Sequence, residues 1–169
     1  MSETSPTLHL LCGKIAAGKS TLAAQLASAP GTVLVSEDTW LGTLFADQMS
    51  SLQDYVRCSA KLRDAMGPHV AALLNAGTSV VLDFPANTVE TRKWSREILD
   101  QTSVHHELHL LDAPDDLCIA RLHARNARGD HPFAATEAQF HKVTRHFAAP
   151  SAAEGFNIVI HQVSTEPES

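Results

Sequence analysis

Short apolar runs alternate along the chain with longer stretches in which apolar residues recur every three or four positions. Thr7 to Cys12 is an apolar run ending directly at Gly13, and it reads as a buried first strand. From Lys19 to Ser28, Leu22, Ala23, Leu26 and Ala27 fall at helical spacing, and Pro30-Gly31 stops that helix. Thr32 to Val35 predicts a second strand. Glu37 to Met49, with Trp40, Leu44 and Phe45, predicts an irregular or partly helical segment. Gln53 to Asn75 predicts a long helix, kinked or broken at Gly67-Pro68 and closed by Gly77. Ser79 to Leu82 is another buried strand, delivering Asp83 at its carboxyl end, and Val89 to Leu99 is an amphipathic helix. A strand from His105 to Leu111, a helix from Asp115 to Arg125 and a loop from Gly129 to Pro132 follow. A helix from Thr136 to Phe147, opened by the capping signature Thr136-Glu137, and a strand from Phe156 to His161 complete the pattern.

Short apolar strands alternating with helices predict an α/β sandwich of three layers, a five-stranded parallel sheet covered on both faces. No repeat or change of composition divides the chain, so residues 1–169 are expected to form one domain with frayed tails at 1–6 and 164–169. No apolar run approaches the roughly 20 residues of a membrane span. Cys12, Cys58 and Cys118 are far apart, which fits reduced thiols in a cytoplasmic protein. Thirteen Lys and Arg against nineteen Asp and Glu give a net charge of −6, which argues against a long nucleic acid as partner. The ten histidines are scattered without a zinc-binding spacing and are expected to be solvated or hydrogen-bonded.

The chemistry concentrates in Gly13-Lys14-Ile15-Ala16-Ala17-Gly18-Lys19-Ser20, followed by Thr21. A glycine-rich loop between a strand and a helix turns its amides inward as an anion nest, and the helix N-terminus adds partial positive charge. In that setting Lys19 would reach the β- and γ-phosphates of ATP and the Ser20 hydroxyl would ligate Mg²⁺. Three further elements bear on the reaction. Asp38, just beyond the second strand, can accept the proton of an attacking hydroxyl, or it can be a helix N-cap; Glu37 is the other carboxylate there. Asp83 can meet Mg²⁺ or its waters, cap the next segment, or hold Lys19. Arg121, Arg125 and Arg128, ahead of Gly129-Asp130-His131-Pro132, read either as a phosphate-gripping lid or as a solvated helix face, with Arg121 paired to a residue such as Asp116.

With these residues in place, the chain resembles the small P-loop kinases that include phage polynucleotide kinase, chloramphenicol phosphotransferase and the zeta toxins. The resemblance runs from about Thr7 to Phe147. It is carried by the phosphate loop, by Asp38, by Asp83 to Trp94 with its shared Asp, Arg and Trp, and by Arg128-Gly129. The chain is also similar to bacterial AAA-type proteins described only as predicted kinases, which have comparable RN…RGDHP lids and a GFN segment. The resemblance implies that Asp38 is the base, that Ser20 and Asp83 organise Mg²⁺, and that Arg128 with Arg125 closes over ATP. It departs at Leu41, where the phage kinase has an arginine that holds the substrate's 3′ phosphate. Trp40, Leu41, Leu44 and Phe45 therefore read as an apolar pocket wall for a small hydroxylated acceptor, and equally as core. The leading expectation is a kinase of small-molecule alcohols, ahead of a 5′-hydroxyl polynucleotide or nucleotide kinase, a regulatory nucleotide-binding ATPase, and a zeta-type toxin. No guanine-binding signature appears, so ATP is the expected nucleotide.

Overall fold

A computed structural model describes residues 5–129 and 135–164 of the chain. The expected tails lie mostly outside those residues, as do Asp130, His131 and Pro132 of the expected lid loop. Five strands, β1 (Thr7–Cys12), β2 (Thr32–Ser36), β3 (Ser79–Pro85), β4 (His105–Asp112) and β5 (Ile158–Gln162), form one sheet in the order β2-β3-β1-β4-β5. Every pairing is parallel. The helices are α1 (Lys19–Ala27), α2 (Glu37–Phe45), α3 (Leu52–Asn75), α4 (Val89–Asp100), α5 (Asp115–Arg128) and α6 (Glu137–Thr144). Among the described residues no helix is long and apolar enough to cross a membrane.

Alternation along β1 divides the core between the two faces of the sheet. Leu8, Leu10 and Cys12 join Leu41, Cys58, Leu62, Val70, Leu74 and Ile98 beneath α2, α3 and α4. On the opposite face Leu11 meets Ala23 of α1, while Leu111 packs with Cys118, Leu122 and Phe140 of α5 and α6. The carboxyl ends of β1, β2 and β3 lie side by side, which is where ligands bind in sheets of this kind.

Several elements depart from the sequence pattern. α3 runs unbroken through Gly67 and Pro68. The indole of Trp94 fills the space beside Gly67, its nitrogen 3.2 Å from where a Cβ would stand, and its N–H donates to the Arg63 carbonyl at 3.2 Å. β3 continues to Pro85, so Asp83 lies within the strand and pairs with Ser36 rather than ending it. A register shift between Leu10 and Leu11 accompanies this extension. α5 extends to Arg128 before Gly129 closes it at φ 66°. α6 stops at Thr144, and Thr136 caps it reciprocally with Gln139 rather than with Glu137. β5 begins two residues later than Phe156.

Arg92 ties α4 to the segment leading into β5. It is fully buried, and its Nε donates to Glu154 at 2.7 Å while Nη1 donates to the Ala86 and Ala148 carbonyls at 3.0 and 2.7 Å. The guanidinium also acts on Cys12, whose thiol burial nonetheless pushes up to about 11. Arg92→Met should cost about 2–4 kcal/mol, chiefly through the carbonyls left without a donor, because the Glu154 end is partly open to water. In a chain of this size that lowers Tm by roughly 4–16 °C. Thermal unfolding checks it, and an unchanged Tm would mean that water replaces the guanidinium at those carbonyls.

Candidate active site

The loop from Gly13 to Ser20 joins β1 to α1 by two left-handed residues, Gly18 at φ 109° and Ala16 at φ 64°. Ala16 is the one described non-glycine residue at positive φ, a conformation that costs an L-residue about 1–2 kcal/mol. Such strain is what an anion nest requires of its backbone. The N-terminus of α1 is also electrostatically open: Gly18 supplies no side-chain cap and no acidic residue occupies the first turn. By contrast Ser36, Ser51, Thr88 and Thr136 cap α2, α3, α4 and α6 with their side chains. The partial positive charge at the start of α1 is thus left for an external anion.

The loop is fixed at both flanks. Gly13 N–H donates to Asn87 Oδ1 at 2.9 Å, and Asn87 Nδ2 donates back to the Gly13 carbonyl at 2.8 Å. A Cβ at Gly13 would lie 3.3 Å from Leu111 Cβ and 3.4 Å from Ala17 Cβ, so a side chain there would crowd Leu111. Lys14 pairs with Asp115 at 2.6 Å and donates to the Ala113 carbonyl at 3.3 Å, anchoring the loop to the start of α5. Ile15, Ala16 and Ala17 pack with Leu111 and Leu122, while Thr21 is exposed on α1.

Lys19 lies across the loop, its Nζ donating to the carbonyls of Gly13 at 2.6 Å and Lys14 at 2.9 Å. Burial pushes its ammonium below the usual lysine value, against the opposing pull of Asp83 and Asp38. The Ser20 hydroxyl donates to Asp83 Oδ2 at 3.4 Å. Burial raises the Asp83 carboxyl, Lys19 lowers it, and the negative charge of Asp38 raises it again. The charges of Asp38 and Asp83 therefore both act on one ammonium in a half-buried place. The Ser20 hydroxyl and the Asp83 carboxylate beside it are hard oxygen donors of the kind that could hold Mg²⁺.

Asp38 is not the cap of its helix. Ser36 holds that position, accepting from Thr39 N–H at 3.3 Å, and Asp38 is the second residue of α2. Glu37 faces the other way, fully buried. It accepts hydrogen bonds from the hydroxyls of Tyr55 and Ser59, the latter at 2.9 Å, and burial raises its carboxyl.

Arg121, Arg125 and Arg128 share one face of α5 by their spacing. Arg121 is not paired with Asp116: its Nη1 donates to the Ala17 carbonyl at 3.4 Å and lies 3.6 Å from the Cβ position of Gly18. The arginine face thus begins at the phosphate loop, with Arg125 half-buried and Arg128 exposed farther along. In the expected pocket wall Leu41 is wholly buried in the core and Phe45 packs against it, while Trp40 and Leu44 are 38% and 49% exposed. Leu41 therefore packs the core and does not line a pocket. Asn87 and Arg121 were the residues hardest to assign from sequence, since both act on loop backbone far away along the chain; the nearness of Asn87 to Asp83 was the only signal.

A family model described as an AAA domain matches residues 8–150. No curated protein matches the chain. Among solved structures, a candidate kinase from Chloroflexus aurantiacus superposes with a TM-score of 0.78 at 20% identity, covering 96% of this chain and 90% of that one. A gluconokinase from Sinorhizobium meliloti gives 0.64 at 15% identity, covering 96% and 85%. The Mycobacterium tuberculosis APS kinase, in complex with AMPPNP and APS, gives 0.61 at 17% identity, covering 97% and 91%. Identities this low speak to the fold, which is that of P-loop kinases. With its phosphate loop at the mouth of a five-stranded parallel sheet, and with most of its length matched by the family model, the chain belongs to the AAA-domain family of P-loop proteins.

Proposed function

We propose that the protein is an ATP-dependent phosphotransferase that moves the γ-phosphoryl group of ATP onto a hydroxyl of a small-molecule acceptor. The reading is carried by the phosphate loop with Lys19 across it and Ser20 beside Asp83, together with Asp38, a carboxylate whose charge acts on both Lys19 and Asp83 and which is not the cap of its helix. The kinases that share the fold support it, and so does the net charge of −6, which disfavours a polyanionic acceptor.

The loop amides and the start of α1 hold the phosphates, and Lys19 moves from the Gly13 and Lys14 carbonyls to the β- and γ-oxygens. Ser20 and Asp83 would hold Mg²⁺, which when bound supplies charge neutralisation at the phosphate oxygens. Asp38 takes the acceptor hydroxyl's proton as the new O–P bond forms and the bond from the γ-phosphorus to the ADP oxygen breaks. Arg121 at the loop, with Arg125 and Arg128 beyond it, steadies the charge on the transferring group. Cytoplasmic placement and a single-domain chain belong to the same proposal.

Lys19→Ala should leave the fold intact and reduce phosphoryl transfer by about a hundredfold or more. Circular dichroism together with ADP release measures both, and wild-type turnover would remove the loop from the mechanism. Asp38→Asn keeps the side chain's shape but cannot take a proton, so ATP affinity should survive while transfer falls by roughly 10²–10⁴. Equal losses in calorimetric ATP binding and in turnover would make Asp38 a binding group instead. The acceptor class is tested with labelled ATP against a panel of hydroxylated metabolites and a 5′-hydroxyl, 3′-phosphorylated oligonucleotide, at saturating nucleotide and two salt concentrations. Small alcohols should be labelled with little salt dependence, because each neutralised acceptor phosphate adds roughly one unit of log–log slope. Efficient oligonucleotide labelling with a steep slope would establish a polynucleotide kinase in place of the small-molecule enzyme.

A further inference from the structure

Strand pairing gathers four side chains on one face of the sheet, away from the nucleotide loop. His9 of β1 stands opposite Glu107 of β4, and Leu11 opposite His109, so these three polar residues share the face of Leu11 and Leu111. His161 of β5 joins them, opposite Leu111. His9 Nδ1 and His109 Nε2 are 3.1 Å apart, and a Glu107 carboxylate oxygen is 3.6 Å from the same His109 nitrogen. The three donor atoms all lie within 4.8 Å of one another. On the far side of the same ring, His109 Nδ1 is 2.9 Å from His161 Nε2.

These distances have a specific chemical meaning. Neutral imidazole carries one N–H, and when His109 directs it from Nδ1 to His161, the lone pair of Nε2 turns toward His9 and Glu107. Without an ion, His9 Nδ1 and His109 Nε2 are close enough to share a proton in a hydrogen bond; with both lone pairs free, they and the Glu107 oxygen are near enough to one another to hold a cation together. Ligands at 2.0–2.1 Å in a tetrahedron are about 3.3–3.4 Å apart, between the two separations found around His109 Nε2. A ligating histidine whose other N–H is held by a neighbouring group is the usual outer arrangement of such sites. His109 is 3% exposed, so its ring is fixed by packing, while His9, Glu107 and His161 are partly open to solvent.

We propose that His9, Glu107 and His109 form a binding site for a divalent transition metal of the Zn²⁺ class, with His161 as the positioning residue for His109. Two imidazoles and one carboxylate select such ions over Mg²⁺, which favours all-oxygen shells. The fourth position is left for water. His9 lies four residues before Gly13, roughly 13 Å along the strand, so this site is separate from the one at Ser20 and Asp83. The ion would staple β1 to β4 and, through His161, brace β5.

The test uses the full chain without an affinity tag, stripped with a chelator and titrated with Zn²⁺ and Co²⁺ by calorimetry and visible spectroscopy. One equivalent should bind, Co²⁺ should give the intense absorption of a tetrahedral site, and Tm should rise by about 5–10 °C at a hundredfold excess over Kd. His9→Gln and Glu107→Gln, both partly exposed, should abolish the shift while the stripped proteins keep their Tm. His161→Ala should weaken affinity by about 10–100-fold with the stoichiometry unchanged. His69→Ala, at an exposed position on α3, and Asp83→Asn should bind Zn²⁺ as the parent does. The proposal is overturned if no saturable equivalent binds, if His9→Gln and Glu107→Gln bind as tightly as the parent, or if Asp83→Asn alone removes the site.

Discussion

One side-chain amide, that of Asn87, closes both backbone hydrogen bonds of Gly13. A phosphate loop needs its later amides free to face a ligand, so its first residue must be satisfied and held from outside the loop. The holder is itself held. Ala86 N–H donates to the Leu11 carbonyl at 2.9 Å, Ala148 N–H to the Asn87 carbonyl at 2.8 Å, and Arg92 donates to the carbonyls on either side. A rigid turn after β3 thus sets the position of a strained turn after β1, and the strain at Ala16 persists because its surroundings leave no easier path.

Electrostatics follow from that placement. Asp38 and Asp83 act on a single ammonium where burial disfavours charge, which pushes Lys19 down and Asp83 up at once. Under the function proposed above, such a site would gain more from phosphate and divalent cation together than from either alone, because each ion would relieve the charge that the other imposes. Glu37, one residue before Asp38, turns into the core against Tyr55 and Ser59, where burial and the charge of Asp38 raise its carboxyl.

The phosphate loop, the parallel strands and most helices were legible because their signals are contiguous: an apolar run, a glycine spacing, a helical period. Local pattern falls short where distant residues decide. Pro68 should break a helix by its local chemistry, yet α3 continues through it, with Trp94 packed against the neighbouring Gly67. Leu41 looks the same in sequence whether it lines a pocket or fills a core, and only the position of α2 above β1 chose the core. The Asn87 clamp spans 74 residues and the Arg121 contact 104, so the local sequence does not name the loop as their partner. The histidines appeared scattered because their adjacency exists only in the registers of β1, β4 and β5.

β1 has a further consequence, for how the chain can vary in length. Its six residues carry His9 on one face and end directly at Gly13, with no slack between the histidine cluster and the nucleotide loop. Adding or removing one residue inside the strand would turn everything beyond it to the opposite face. Either His9 would leave its partners or Gly13 would leave Asn87. A change of length is better accommodated in a turn such as residues 29–31 before β2, at the amino end of the sheet and opposite the phosphate loop.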